Sequence, residues 1–313
     1  MNELRIVFMG TPDFATASLK ALVESEYKIV AVITAPDRPA GRGQKMRSSS
    51  VKDYAIQQNL KVLQPHNLKD EKFIQELKSL NANLQIVVAF RMLPKIVWSM
   101  PNKGTINLHA SLLPKYRGAA PINWAIINGE KQSGVTTFFI EEKIDTGEII
   151  LQEKISISEN ETAGELHDKL MNIGSNLVCK TVDLISNNKV NAISQNGEIS
   201  EAPKIFKPLC KLNWNDYPEK IHNKIRGLSP YPAAWTNLTN GKDLTLKVFQ
   251  SKVEYKNHKF ENGFIISDNK SFLKVATKKG FIEILELQLS GKKRMKIEDF
   301  LRGFKINDDF RFE

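Results

Sequence analysis

Of the 313 residues, 41% are apolar and 26% charged, values close to the globular average that exclude collagen-like, low-complexity and wholly disordered chains and leave room for about two domains. Lys and Arg outnumber Asp and Glu 45 to 35, a formal net charge of +10. Such a field favours polyanionic partners, nucleic acid before an anionic membrane surface, although a lysine-rich organism gives the same excess. Cys179 and Cys210 are the two cysteines, too few for a disulfide framework or a zinc site. Neither has a Cys or His at ligand spacing, so both read as reduced structural thiols of a cytoplasmic protein.

The opening MNELRIVFMG holds a short apolar run ending in glycine, a strand signature without the layout of a signal peptide. No 18 apolar residues run together, so no membrane span is expected. In chain order, strands are predicted at Leu4 to Met9, Ile29 to Ile33, Leu84 to Phe90, Thr105 to His109 and Val135 to Ile140. Helices are predicted at Phe14 to Ser25, at Glu71 to Leu80, and from Thr162 onward, where Thr162 and Glu165 make a capping-box pattern before Leu166, Leu170, Ile173 and Leu177. Strands alternating with helices build a parallel sheet with helices on its faces, here over residues 1–188. Residues 189–208 are polar, carry Gly197, Pro203 and Pro208 and have no sustained period, so they read as a linker. Over residues 209–313 a short helix near Pro218 to Arg226 precedes strands at Leu244 to Phe249, Gly263 to Ser267, Phe272 to Ala276 and Phe281 to Leu289, then a helix over Ile297 to Phe304. Closely spaced strands of this kind make a small β-barrel or sandwich.

Gly10 follows the first strand and TPDF opens the helix, the context of a nucleotide fold. The second and third glycines of GxGxxG are missing, so an NAD or FAD enzyme is not expected and Gly10 reads as a tight turn. The informative stretch is TINLHASLLPKYRGAAPI, residues 105–122. Strand side chains alternate faces, so Asn107 and His109 project together near a C-terminal strand end, where open α/β sheets place their ligands. An amide donor beside an imidazole can hydrogen-bond a developing oxyanion and exchange a proton, the two requirements of acyl transfer, although a structural histidine gives the same pattern. Asp145 follows His109 by 36 residues in KIDTGE. At the C-terminal end of the strand Val135 to Ile140 it would reach the imidazole, fix its tautomer and favour its protonated form; alternatively Asp145, Thr146 and Gly147 make a turn.

FMGTPDFA, TAPDRPAGRGQKMRSSSVK, NLHASLLPKYRGAAPINWAI, GVTTFFIEEKIDTGEI and the late GKKRMKIEDFL together resemble the methionyl-tRNA formyltransferases, over nearly the whole chain. The resemblance implies a Rossmann-like catalytic domain and an OB-like C-terminal barrel that binds tRNA. It implies transfer of the formyl group of 10-formyltetrahydrofolate to the amine of initiator methionyl-tRNA, without a metal, by a monomer away from any membrane. By the same resemblance Asn107, His109 and Asp145 match the catalytic trio, Ser111, Leu112, Leu113 and Pro114 match the tetrahydrofolate-binding stretch, and Arg42 matches a position that engages the tRNA acceptor stem, with Lys45 beside it. The loop supports this independently: Arg38, Arg42, Lys45 and Arg47 against Asp37 give +3 on a glycine-containing segment that can mould to phosphates. AFRMLP, residues 89–94, departs from the usual tRNA-branch form and is closer to the glycinamide-ribonucleotide transformylases. Three alternatives stay open: a formyltransferase for another amine, a 10-formyltetrahydrofolate hydrolase, and a non-catalytic RNA-binding protein. Residues 209–313 hold 20 basic and 13 acidic side chains, or +7, and residues 1–208 hold 25 and 22, or +3. The excess therefore sits mainly in the barrel.

Overall fold

A computed structural model describes residues 3–40, 45–240, 243–307 and 309–313. The chain packs into two compact units, the first from residues 1–118, 133–155 and 167–201, the second from residues 119–132, 156–166 and 202–313. Residues 119–132 and 156–166 thus leave the first half of the sequence to pack with the barrel.

The first unit is a seven-stranded sheet with helices packed on it. Its elements are β1 (Ile6–Gly10), α1 (Asp13–Glu24), β2 (Ile29–Ile33), the hairpin strands β3 (Arg38–Ala40) and β4 (Lys45–Arg47), α2 (Ser50–Gln57), β5 (Val62–Leu63), α3 (Glu71–Ser79), β6 (Leu84–Val88), α4 (Lys95–Trp98), β7 (Thr105–His109) and β8 (Arg117–Gly118). After α5 (Pro121–Ile127) in the second unit come β9 (Gln132–Phe139), β10 (Ile149–Ser156) and α6 (Ala163–Ser186). The strand order is β10-β9-β7-β6-β1-β2-β5. β1 pairs parallel with β2 and β6, β6 parallel with β7, and β9 antiparallel with β7. β1 and β6 are buried along their whole length, which explains their unbroken apolar runs.

Helix ends follow local chemistry. Asp70 caps α3 by accepting from the Phe73 N–H at 3.1 Å, and Phe73, Ile74 and Leu77 turn the buried face inward. Thr162 and Glu165 form the expected capping box: the Thr162 N–H donates to Glu165 Oε2 at 2.8 Å and the Glu165 N–H to Thr162 Oγ1 at 3.3 Å. A Cβ on Gly10 would lie 2.5 Å from Ala15 Cβ and 3.0 Å from the Val88 carbonyl oxygen. Glycine at this turn lets β1 enter α1 against its neighbour strand.

The second unit is antiparallel. It contains α7 (Pro218–Leu228), β12 (Ala234–Thr239), β13 (Asp243–Glu254), β14 (Ile265–Ser267), β15 (Leu273–Thr277), β16 (Gly280–Leu289), β17 (Met295–Lys296), α8 (Ile297–Gly303) and β18 (Arg311–Phe312), after the short β11 (Glu201–Ala202) at the junction between the units. The order β14-β15-β16-β13-β12-β18 is nearly closed by a bridge between Phe264 and Arg311, giving a small barrel around Leu246, Val248, Val275, Ile282 and Ile284. Trp214 is buried in that core and donates its indole N–H to Thr236 Oγ1 at 2.9 Å. Among the described residues no helix is long and apolar enough to cross a membrane.

α7 carries a buried histidine. His222 Nδ1 lies 3.0 Å from Ser251 Oγ, and burial, then the Arg226 guanidinium, push its pKa below the ordinary 6.5 against a smaller upward pull from Glu159. A lowered folded value means the unfolded chain takes up the proton first. The contribution to stability is therefore whole above about pH 6.5 and is lost as pH falls from there toward the folded value. Urea unfolding of the barrel, followed between about pH 8 and about pH 5.5, should weaken by at most about 1.4 kcal/mol per pH unit from this group, and His222→Gln should flatten that slope.

Candidate active site

β1, β6 and β7 are adjacent and parallel, so Gly10, Val88 and His109 end at one edge of the sheet. Such an edge is where open α/β sheets receive ligands. Along β7, Leu108 packs toward Gly174 of α6, which leaves Asn107 and His109 on the opposite face. His109 is 6% exposed, and its Nε2 lies 2.8 Å from the Tyr116 carbonyl oxygen. A carbonyl only accepts, so Nε2 carries the hydrogen and Nδ1 is the nitrogen left for proton exchange. His109 Nδ1 faces Asp145 Oδ2 at 3.8 Å, and that oxygen accepts the Gly118 N–H at 2.9 Å. The tautomer is thus set by a backbone carbonyl, and Asp145 stands on the proton-exchanging side. The Asn107 side chain is half-buried and makes no hydrogen bond to a described residue, so its amide donors are available to a ligand.

Asp145 arrives by a route the sequence reading did not give. β9 runs antiparallel to β7, with Ile106 opposite Phe139 and His109 opposite Thr136, so the C-terminal end of β9 lies beside the start of β7. The loop between β9 and β10 turns back, and Asp145 adopts φ 54° within it. Tyr116, with φ 61°, and Ala89, with φ 46° just after β6, are also left-handed. Non-glycine residues in that region are held by their surroundings and cluster at functional sites.

Ser111 to Pro114 form a compact turn. Ser111 is buried and its hydroxyl donates to the Lys115 carbonyl at 2.6 Å. The Leu113 N–H donates to Thr136 Oγ1 at 3.2 Å, its carbonyl accepts from Gln152 Nε2 at 2.9 Å, and its side chain clusters with Phe138 and Ile149. Leu112 stays half-buried and Pro114 is buried. Arg42 lies outside the described residues, and Lys45 is described through its backbone, paired with Ala40 across β3 and β4. Asp37, which opens this hairpin, is bound by Lys52 Nζ at 2.5 Å and Gln64 Nε2 at 2.8 Å, and these hydrogen bonds hold its carboxyl below the usual range. Arg38 and Arg47 stand opposite each other across this hairpin. Arg91 turns back on its own fold: it donates to the Pro65 carbonyl and, at 2.9 Å, to that of His66, with its guanidinium 5.5 Å from the Phe90 ring centre.

Tyr116 and Gly118, which hold His109 and Asp145, were not among the residues expected at the site. Their contribution is backbone, and a carbonyl or amide has no residue signature. Among the described residues no group of three or more His, Cys, Asp or Glu side chains could hold a metal ion.

The chain matches known families over most of its length. The family model described as formyl transferase matches residues 4–182, and that described as formyl transferase, C-terminal domain, matches residues 204–305. The methionyl-tRNA formyltransferase of Flavobacterium johnsoniae is 55% identical over 312 residues, 99% of each chain. That of Bacteroides thetaiotaomicron is 52% identical over 317 residues, 99% of this chain and 98% of its own. Among solved structures, an N-formyltransferase of Helicobacter canadensis in complex with folinic acid and dTDP-3-aminofucose matches 93% of this chain and 100% of its own, with TM-score 0.62 and 21% identity. HypX of Aquifex aeolicus in complex with tetrahydrofolic acid matches with TM-score 0.64 and 17% identity over 99% of this chain and 51% of its own. At these identities the solved structures bear on the fold alone.

Proposed function

The chain belongs to the methionyl-tRNA formyltransferases, and from that premise we propose how its residues divide the work of moving a formyl group from 10-formyltetrahydrofolate to the amine of initiator methionyl-tRNA. Identity of 52–55% over nearly the full length to enzymes named methionyl-tRNA formyltransferase favours this reading over a branch acting on another amine.

The observation that carries the site is the 3.8 Å approach of His109 Nδ1 to the Asp145 carboxylate, with Asn107 on the same face of β7 and its side chain making no hydrogen bond to a described residue. That donor set fits a formyl group, whose oxygen gains negative charge as the carbon is attacked. The folate supplies a formyl carbon already bonded to nitrogen. Attack by the amine forms a tetrahedral oxyanion, whose collapse breaks that C–N bond. The proton taken from the amine goes to the folate nitrogen as it leaves as a secondary amine. Ser111 to Pro114 would border the folate, with Leu112 giving an apolar surface and the buried turn fixing the shape. Asn107 donates to the formyl oxygen, and so does His109 through Nδ1–H when protonated. Each such donor is worth about 3 kcal/mol of transition-state stabilisation in comparable sites. Asp145 stabilises the imidazolium and takes part in removing the proton of the attacking amine. Nε2 stays on the Tyr116 carbonyl throughout, so one imidazole edge serves both oxyanion and proton. The trio comes from a single chain, and the reading takes a monomer, acting in the cytoplasm, as the working unit.

Arg42, with Lys45, is assigned to the phosphates of the acceptor stem, and the barrel, with its +7, to the body of the tRNA. The test is formyl-methionine formation from charged initiator tRNA beside a water-only reaction that reads donor hydrolysis. In that assay Arg42→Ala should raise KM for tRNA about tenfold, leave KM for the folate in place and reduce the salt slope of binding by about one. An unchanged slope would remove Arg42 from the phosphate contacts.

A further inference from the structure

The segment read as a linker touches the Asp145 loop and Tyr116, the support of His109. Gln195 Nε2 donates to the carbonyls of Asp145 and Gly147, both at 2.9 Å, and Gln195 Oε1 accepts from Arg117 Nε at 3.2 Å and Nη2 at 2.7 Å. These four contacts also fix the amide's orientation: the flipped form would set an oxygen against two carbonyls and an NH2 against a guanidinium. Five residues on, Ser200 Oγ accepts the Tyr116 N–H and the Ser200 carbonyl accepts the Arg117 N–H, each at 2.9 Å. The contacts close a ring. The Asp145 carboxylate binds the Gly118 N–H, Arg117 precedes Gly118, Arg117 grips Gln195, and Gln195 returns to the Asp145 carbonyl.

We propose that Gln195 is a positioning residue for formyl transfer, acting through Asp145. The inference rests on the catalytic reading of His109 and Asp145. Asp145 holds a left-handed backbone with its carboxylate 3.8 Å from His109 Nδ1, and Gln195 pins the loop on both sides of Thr146. Glutamine is required because glutamate, equal in size and better matched to Arg117, would place an acceptor oxygen against two carbonyl oxygens.

The experiment is steady-state formylation by Gln195→Ala, Gln195→Glu, Asp145→Asn, the double variant Gln195→Ala with Asp145→Asn, and Asn196→Ala as an exposed neighbour. Both Gln195 variants should lose about 10- to 100-fold in kcat, with KM for tRNA and folate within about twofold, because small misplacement of a catalytic group has effects of that size. Asn196→Ala should match wild type. In the Asp145→Asn background, Gln195→Ala should have no further effect, the non-additivity of a residue acting through another. A space-filling role would tolerate Glu and would add its loss in the double variant, and either result overturns the proposal. A wild-type rate for Asp145→Asn would overturn the catalytic reading beneath it; a crippled Asp145→Asn beside an unimpaired Gln195→Ala overturns the role of Gln195 alone.

Discussion

Asp145→Asn should lower kcat by about 10²- to 10⁴-fold, the usual contribution of a positioned acid–base group, while KM for tRNA and the unfolding midpoint stay near wild type. Asparagine keeps an oxygen for the Gly118 N–H, which binds Asp145 Oδ2 at 2.9 Å, so the loop retains that anchor. What is lost is the negative charge 3.8 Å from His109 Nδ1. Without it His109, 6% exposed, faces a neutral amide in place of the carboxylate when Nδ1 takes up the proton of the amine. His109→Ala should be at least as damaging, because it removes a donor to the formyl oxygen and a proton carrier together. Combining the two should have little more effect than the worse single change, as for groups that act as a unit. Single-turnover formylation with saturating charged tRNA gives the direct measurement. A wild-type rate in either single variant would remove that residue from the chemistry.

Much of the fold was legible because its signals are local. The runs at Ile29–Ile33 and Thr105–His109 are strands at those bounds, and Glu71 opens α3 behind the cap of Asp70. Asn107 and His109 share a face because strand side chains alternate, a rule that needs no knowledge of neighbours. The direction of β9 was not legible, since an alternating pattern reads the same both ways. β10, with its alternation of exposed and covered residues in Ile149–Ser156, and β12, which follows a breaker-rich turn, did not stand out as strands. α2 exposes half of its residues and buries only Val51 and Ala55, too short a face for periodicity to mark. The supports of the site lie further out of reach. Tyr116 acts through its carbonyl, and Gln195 meets Asp145 across 50 residues, so neither contact leaves a pattern in the chain.

Gly147→Ala should be the most disruptive methyl added at any described glycine of the first unit. A Cβ at this position would lie 1.7 Å from the Phe139 carbonyl oxygen and 2.9 Å from its carbonyl carbon. Both atoms are backbone at the end of β9, fixed by the Phe139 N–H to the Glu148 carbonyl at 3.0 Å and by the Ile140 N–H to the Thr105 carbonyl at 2.7 Å. No rotamer change relieves such a contact, so the loop or the strand end must move. Overpacking of this kind costs about 1–3 kcal/mol, and the upper end is expected where the obstacle is sheet backbone. The same displacement carries Asp145, two residues away, and withdraws the Gly147 carbonyl from Gln195 Nε2. Stability and kcat should therefore fall together, in contrast to Asp145→Asn, where kcat falls alone. Urea unfolding beside formylation kinetics separates the two variants. A Gly147→Ala enzyme of wild-type stability and rate would show that this loop adapts freely, and that the close approach to Phe139 has no part in placing Asp145.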